Sequence, residues 1–315
     1  MKRSEDCGAP GPAAAGANTP VATGDTAQGF VTAGAAYLLW GLVLPFFMKA
    51  LDHINPVEIV AHRILWAVPA GAVILIWLGR TADLMTALKS PKVVAMAAVT
   101  ATIISINWGV YVYAIASNQA LEASLGYYIN PLISVLMGVF LLGEKPSRLQ
   151  WVAIALAGLA VIILTVFAGK LPWISLVLAF SFATYGYLRK TLPIGPSQGF
   201  LLEVIILTPI ALVLIGWFIA QGDNHFLAGS NFDTWMLVAA GPVTAIPLVL
   251  FAFGAKGLRL ATIGLMQYSV PTLVLLIAVF FFGEPFAGPQ IVAFALIWIA
   301  LAIYTSTLLR RPKAA

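Results

Sequence analysis

A chain of 315 residues that is 61% apolar and 9% charged is no ordinary water-soluble domain, where charged side chains make up about a quarter; its solvent is the lipid bilayer. The net charge of +5 does not signal nucleic acid, because no basic face interleaved with aromatic residues exists outside short loops. One cysteine, Cys7, and three scattered histidines provide neither a disulfide framework nor a metal-ligand constellation, and no cofactor is expected.

Residues 1–28, rich in Gly, Ala and Pro and without the apolar core of a signal peptide, read as a disordered cytoplasmic tail. At about 20 apolar residues per crossing, ten spans follow: 29–48, 57–79, 93–115, 123–142, 149–168, 172–188, 199–220, 234–254, 261–282 and 288–308. Residues 29–168 form a first five-helix unit, 172–308 a second, and 309–315 a short cytoplasmic tail. Span one carries Trp40, a cavity or packing aromatic. Span two carries Arg63 and Pro69. An intramembrane charge costs about 2.5 to 3.5 kcal/mol on insertion scales, so Arg63 needs a reason to be there: either it lines a cavity and attracts anionic or polar solute, or it snorkels to the interface.

Span three places Asn107, Trp108 and Tyr111 on one helical edge. An amide beside aromatic rings suits an amphipathic solute, and equally suits packing with a hydrogen bond between helices. Around the start of span four lie Glu122, Tyr127, Tyr128, Asn130 and Pro131. Glu122 meets the positive end of the helix dipole without any solute. Span five is lined by Ala153, Ala155 and Ala157, small enough for close helix contact. Span six carries Tyr185 and Tyr187, which line the cavity or pack; span seven carries Glu203 and Pro209. Arg63 and Glu203 lie roughly 15 Å apart along the membrane normal, so they form no direct ion pair. Glu203 is a candidate proton or cation acceptor, or a carboxylate satisfied by its own surroundings. Span nine repeats the theme of span four with Gln267, Tyr268 and Pro271. Pro131 and Pro271 each free a helix carbonyl that a polar neighbour or water must satisfy. Pro69 and Pro209 are either bending points or fixed kinks.

The two halves are copies of one pattern. Residues 125–165 and 265–305 align without a gap at an offset of 140, with 16 of 41 pairs identical, among them Tyr128 with Tyr268, Pro131 with Pro271 and Gly143-Glu144 with Gly283-Glu284. At the same offset Pro69 falls on Pro209 and Arg63 on Glu203. Five spans per half force the second copy through the membrane in the opposite sense, which makes the repeat inverted. With the amino terminus inside, fourteen basic residues fall in cytoplasmic segments, Lys49 and Lys170 fall outside, and Arg63 lies within a span. Both termini are therefore expected in the cytoplasm.

The stretch Leu121-Glu122-Ala123-Ser124-Leu125-Gly126-Tyr127-Tyr128-Ile129-Asn130-Pro131, with His62-Arg63, Asn107-Trp108, residues 178–186 and Gln267-Tyr268, resembles the RarD-type permeases, named for chloramphenicol sensitivity, in the EamA branch of the drug/metabolite transporter superfamily. The resemblance covers about residues 29–309 and departs from the pattern at Val270, where glycine is expected before the proline. It implies a carrier of the cell inner membrane with ten spans around a central cavity.

The expectation is an all-α membrane protein of ten transmembrane helices in two inverted five-helix repeats around a central cavity. Its function would be a secondary permease, an exporter or exchanger of small metabolites or amphipathic drug-like compounds. Its partners would be that solute and the bilayer, with no nucleic acid. Arg63, Asn107, Trp108, Tyr111, Tyr128, Asn130, Gln267 and Tyr268 are its candidate cavity residues. An ATP-driven pump would need a phosphate loop that the chain lacks. The alternatives are an intramembrane enzyme, for which no catalytic motif is visible, and a channel.

Overall fold

The computed structural model describes residues 25–117, 119–169, 173–281 and 288–309, and every regular element among them is helical. Helix α1 (Ala27–Leu38) passes through a π-helical turn, Leu39–Val43, into α2 (Leu44–Ala50). Pro45 has no N–H for the carbonyl of Gly41, and the chain absorbs the defect by widening its register, so that the Leu44 N–H reaches the Leu39 carbonyl. Helix α3 (Pro56–Trp77) starts where the Asn55 side chain accepts from the Val57 N–H at 2.9 Å. A short, mostly exposed α4 (Thr81–Leu88) lies between the spans expected at 57–79 and 93–115.

Then come α5 (Pro91–Ala116), α6 (Ala120–Leu142), α7 (Arg148–Ala168), α8 (Trp173–Thr191), α9 (Pro196–Gln221) and α10 (Asn231–Gly257). Ser147 with Gln150 and Ser230 with Asp233 form reciprocal caps at the starts of α7 and α10. The span expected at 261–282 is two helices, α11 (Leu260–Gln267) and α12 (Ser269–Phe280), and α13 (Gly288–Leu309) closes the series.

Seven helical stretches among the described residues are long and apolar enough to cross a membrane: Ala27–Ala50, Pro56–Trp77, Pro91–Ala114, Arg148–Phe167, Pro196–Gln221, Asn231–Gly257 and Leu260–Ile277. Gly126–Leu142 and Ile291–Thr307 are shorter apolar stretches. Helix α8 is less apolar because Arg189 and Lys190, expected in a cytoplasmic loop, lie inside its last turn and are buried.

Of the four prolines expected to free a carbonyl or bend a span, three lie within continuous helices. Pro69, Pro131 and Pro209 sit inside the unbroken α3, α6 and α9. Each removes one backbone bond, and tertiary packing holds the rest. The one break falls at Tyr268, three residues before Pro271, and it forms without the glycine expected at 270.

Helix α3 packs against α9 and α10, α6 against α8 and α11, α7 against α13, and α1 against α10. Gly71, late in α3, faces Phe200 and Leu201, early in α9; Gly138, late in α6, faces Ala261, early in α11, while Gly264 faces Pro131 and Ser134. Both pairs are therefore antiparallel. In lipid no hydrophobic force presses helices together, so close packing of small residues takes its place. A Cβ on Gly241 would lie 2.2 Å from the Trp66 carbonyl, and one on Gly264 would lie 2.6 Å from the Pro131 carbonyl oxygen. Backbone touches backbone at both crossings. Ala153 and Ala157 of α7 are fully buried in a cluster shared with α13.

Candidate solute-binding site

Arg63 lies two turns into α3 and points toward α5 and α10. Its Nε donates to the Thr244 hydroxyl at 2.9 Å, and Thr244 donates in turn to the Ala240 carbonyl at 2.7 Å, which fixes the acceptor. The guanidinium carbon is 5.4 Å from the centre of the Trp108 ring, within cation–π range. The phenols of Tyr111 and Tyr127 lie within electrostatic reach of the guanidinium, and their rings meet edge to face at 6.3 Å. Arg63, Trp108 and Tyr111 are only half-buried and Tyr127 is 44% exposed. Side chains from α3, α5, α6 and α10 thus gather in one half-open cluster that sets a guanidinium among aromatic rings.

The structure thus joins Arg63, Trp108 and Tyr111, and adds Thr244 and Tyr127. The other expected cavity residues do different work. Asn107 is buried and donates from Nδ2 to the Leu178 carbonyl at 3.0 Å and the Ser181 hydroxyl at 2.9 Å, tying α5 to α8. Asn130 is buried and donates to the Ala179 carbonyl at 3.0 Å, tying α6 to α8. The Tyr128 ring packs edge to face on Phe294 at 5.4 Å. Its carbonyl, beside the defect that Pro131 makes, accepts from the Tyr268 hydroxyl at 3.1 Å. Gln267 is buried beside the helix break, and no hydrogen bond among the described residues engages its amide.

Glu203 is not beside Arg63. It is buried, 3.2 Å from Arg189, and accepts from the Tyr185 hydroxyl at 3.0 Å. Arg189 also donates to the Pro196 carbonyl at 2.5 Å. Tyr185 belongs to an aromatic cluster with Tyr37, Trp40, Phe182 and Phe251, so Trp40 packs there. Nearby, Lys190 donates to the carbonyls of Ala255 and Leu258. The Glu144 carboxylate accepts from the Leu260 and Ala261 N–H groups at 2.6 and 2.9 Å, capping α11. Arg259, in the turn before α11, pairs with Asp25 at 2.7 Å. Burial works against its charge, but the hydrogen bond and charge of Asp25 prevail and hold it above the usual arginine range. The opposite end of the bundle carries its own pairs, Glu58 with His225 at 2.9 Å and His53 with Asp233 at 3.0 Å.

Sequence reasoning missed Thr244 and Arg189. Hydroxyls are too common in spans to stand out. Arg189 looked like one more loop charge, although an acid inside the next helix was a signal that a partner lay close.

The EamA-like transporter family model matches residues 28–166. The chain is 41% identical over 285 residues to an uncharacterized transporter of Pseudomonas aeruginosa, covering 90% of this chain and 95% of the relative. It is 41% identical over 278 residues to protein RarD of Streptomyces exfoliatus, covering 88% of each. A solved crystal structure at 19% identity shares the fold with a TM-score of 0.67, covering 91% of this chain and 99% of its own. A multi-pass helical chain that keeps this identity over nearly its whole length belongs to the EamA-like transporter family, as a RarD-type permease.

Proposed function

We propose that the protein is a secondary carrier of small metabolites or amphipathic compounds, working by alternating access as an exporter or exchanger. Ten spans form two five-helix units inserted in opposite senses, in the cell inner membrane with both termini cytoplasmic. The observation that carries this reading is the contact between Tyr268 and Tyr128. These residues are equivalent by the repeat, and they meet across antiparallel helices, as they must if a pseudo-two-fold axis lies in the membrane plane. The antiparallel pairing of α3 with the equivalent α9 agrees with it. The family model also spans one copy of the unit.

In this reading the cluster around Arg63 is the solute site. The network of Arg189, Glu203, Lys190, Glu144 and Arg259 closes the cytoplasmic end, in keeping with its cluster of basic residues. Glu203, already held by Arg189 and Tyr185, acts there as a latch. The test is counterflow in vesicles containing the purified full chain, with radiolabelled chloramphenicol, tryptophan and benzoate as probes. A carrier accelerates labelled uptake when the same unlabelled solute is loaded inside. Protein-dependent flux of every probe that ignores the internal solute indicates a channel and overturns the proposal, as does no protein-dependent flux at all.

A further inference from the structure

The described residues contain three arginines deep in the bundle or at its end, and two of them have an acid: Arg189 has Glu203 and Arg259 has Asp25. Arg63 has none. Among the described residues its hydrogen-bond and ring partners are Thr244, through Nε, and the face of Trp108. No hydrogen bond or ion pair among the described residues engages its two terminal amino groups, which are the part of the fork that grips a carboxylate in bidentate fashion. An uncompensated cation inside an apolar bundle is costly, and this one is held in position by two further side chains. From this arrangement we infer that Arg63 is the counter-charge for the solute, and that the solute is an organic monoanion with a planar apolar body. The inference rests on the carrier reading and narrows it.

Charge count sets the valence. With one guanidinium and no second cation acting on it among the described residues, a single negative charge is balanced, while a dianion such as phosphate would bring an unpaired charge into low dielectric. The walls set the body. Trp108, Tyr111 and Tyr127 offer ring faces and edges that favour a flat apolar group, and the Tyr111 and Tyr127 hydroxyls can donate to the free lone pairs of a carboxylate. Thr244 is a positioning residue: by taking Nε it fixes the guanidinium beside Trp108 and leaves the two terminal amino groups for the solute.

The experiment uses the full chain in detergent, with ligand-induced thermal shift and equilibrium binding of benzoate, cinnamate and indole-3-carboxylate. Their neutral amides, benzylamine, inorganic phosphate and sulfate serve as controls. At least one carboxylate should stabilise the wild type, and its amide, the amine and the inorganic anions should not. Arg63→Gln should weaken carboxylate binding at least tenfold. Arg63→Lys, which keeps the charge without the planar fork, should retain part of it, and it guards against Gln simply failing to fold. Thr244→Val should weaken binding less than Arg63→Gln does. Equal binding of the amides, undiminished carboxylate binding to Arg63→Gln, or no stabilisation by any carboxylate overturns the inference. Counterflow separates the two levels. If chloramphenicol or tryptophan exchanges while no carboxylate binds, the carrier stands and the anion site falls. If a carboxylate binds at Arg63 but shows no counterflow, the site stands and the carrier falls.

Discussion

The Arg189–Glu203 pair shows how one ion pair decides between two roles. Both side chains are almost fully enclosed, at 4% and 3% exposure, so each compensates a charge the bilayer would otherwise punish. Removing one partner of such a pair costs about 3 to 5 kcal/mol, because the other is left buried and unpaired, whereas replacing both by apolar residues of similar volume is often neutral or better. Glu203→Gln is therefore expected to lower the melting temperature sharply, and Arg189→Met with Glu203→Met to restore most of it, as read by thermal unfolding in detergent. A proton-coupling carboxylate would behave otherwise. Glu203→Gln would then keep its melting temperature and lose the pH dependence of flux. Arg63 could be read from the sequence as a charge in search of a purpose, but its partner, Thr244, could not: the two are 181 residues apart and meet only because α3 crosses α10 at Gly241.

At the level of the helix, the spans were legible because their apolar runs are long, and the small irregularities were not, because they answer to neighbours. Pro131 and Pro271 occupy equivalent positions, yet α6 stays whole while its counterpart divides at Tyr268. The difference lies outside the prolines. Gly264 lets α11 press its backbone onto Pro131, and the Tyr268 hydroxyl takes up the Tyr128 carbonyl. Tyr268→Phe removes a single interhelical bond, worth about 0.6 kcal/mol on average within a bilayer, and should barely move the melting temperature. Gly264→Val puts branched carbons where only 2.6 Å is available to the first of them, and overpacking of this kind costs about 1 to 3 kcal/mol or more. It should destabilise the protein far more than Tyr268→Phe does, in the same thermal assay. Equal effects would mean that the hydroxyl, and not the close approach, holds this crossing. Asn107 and Asn130 carry the same lesson. Their amides look like solute contacts in a linear reading and are instead fasteners from α5 and α6 to α8.

Across the whole molecule, the repeat predicts how the structure moves. Two halves of the same design need not adopt the same arrangement at one moment, and here they do not: α3 packs along α10 much more extensively than its counterpart α9 packs along α5. If the halves exchange conformations, the loose pair must tighten as the tight pair loosens. The sequence supplies matched reporters for this. Val73 and Ile246 lie on the outer faces of α3 and α10, and the residues 140 positions away, Val213 and Ile106, lie on those of α9 and α5; all four are exposed. Spin labels on Val73 with Ile246, and separately on Val213 with Ile106, in a chain with Cys7 replaced, should each give two distance populations. The fraction lengthened in one pair should equal the fraction shortened in the other. Glu144→Gln weakens the cap that holds α11 in the present arrangement, and should shift both pairs by the same fraction in opposite directions. Distances that respond independently, or a single fixed distance in each pair, would show that the duplicated sequence builds a static symmetry and not a moving one.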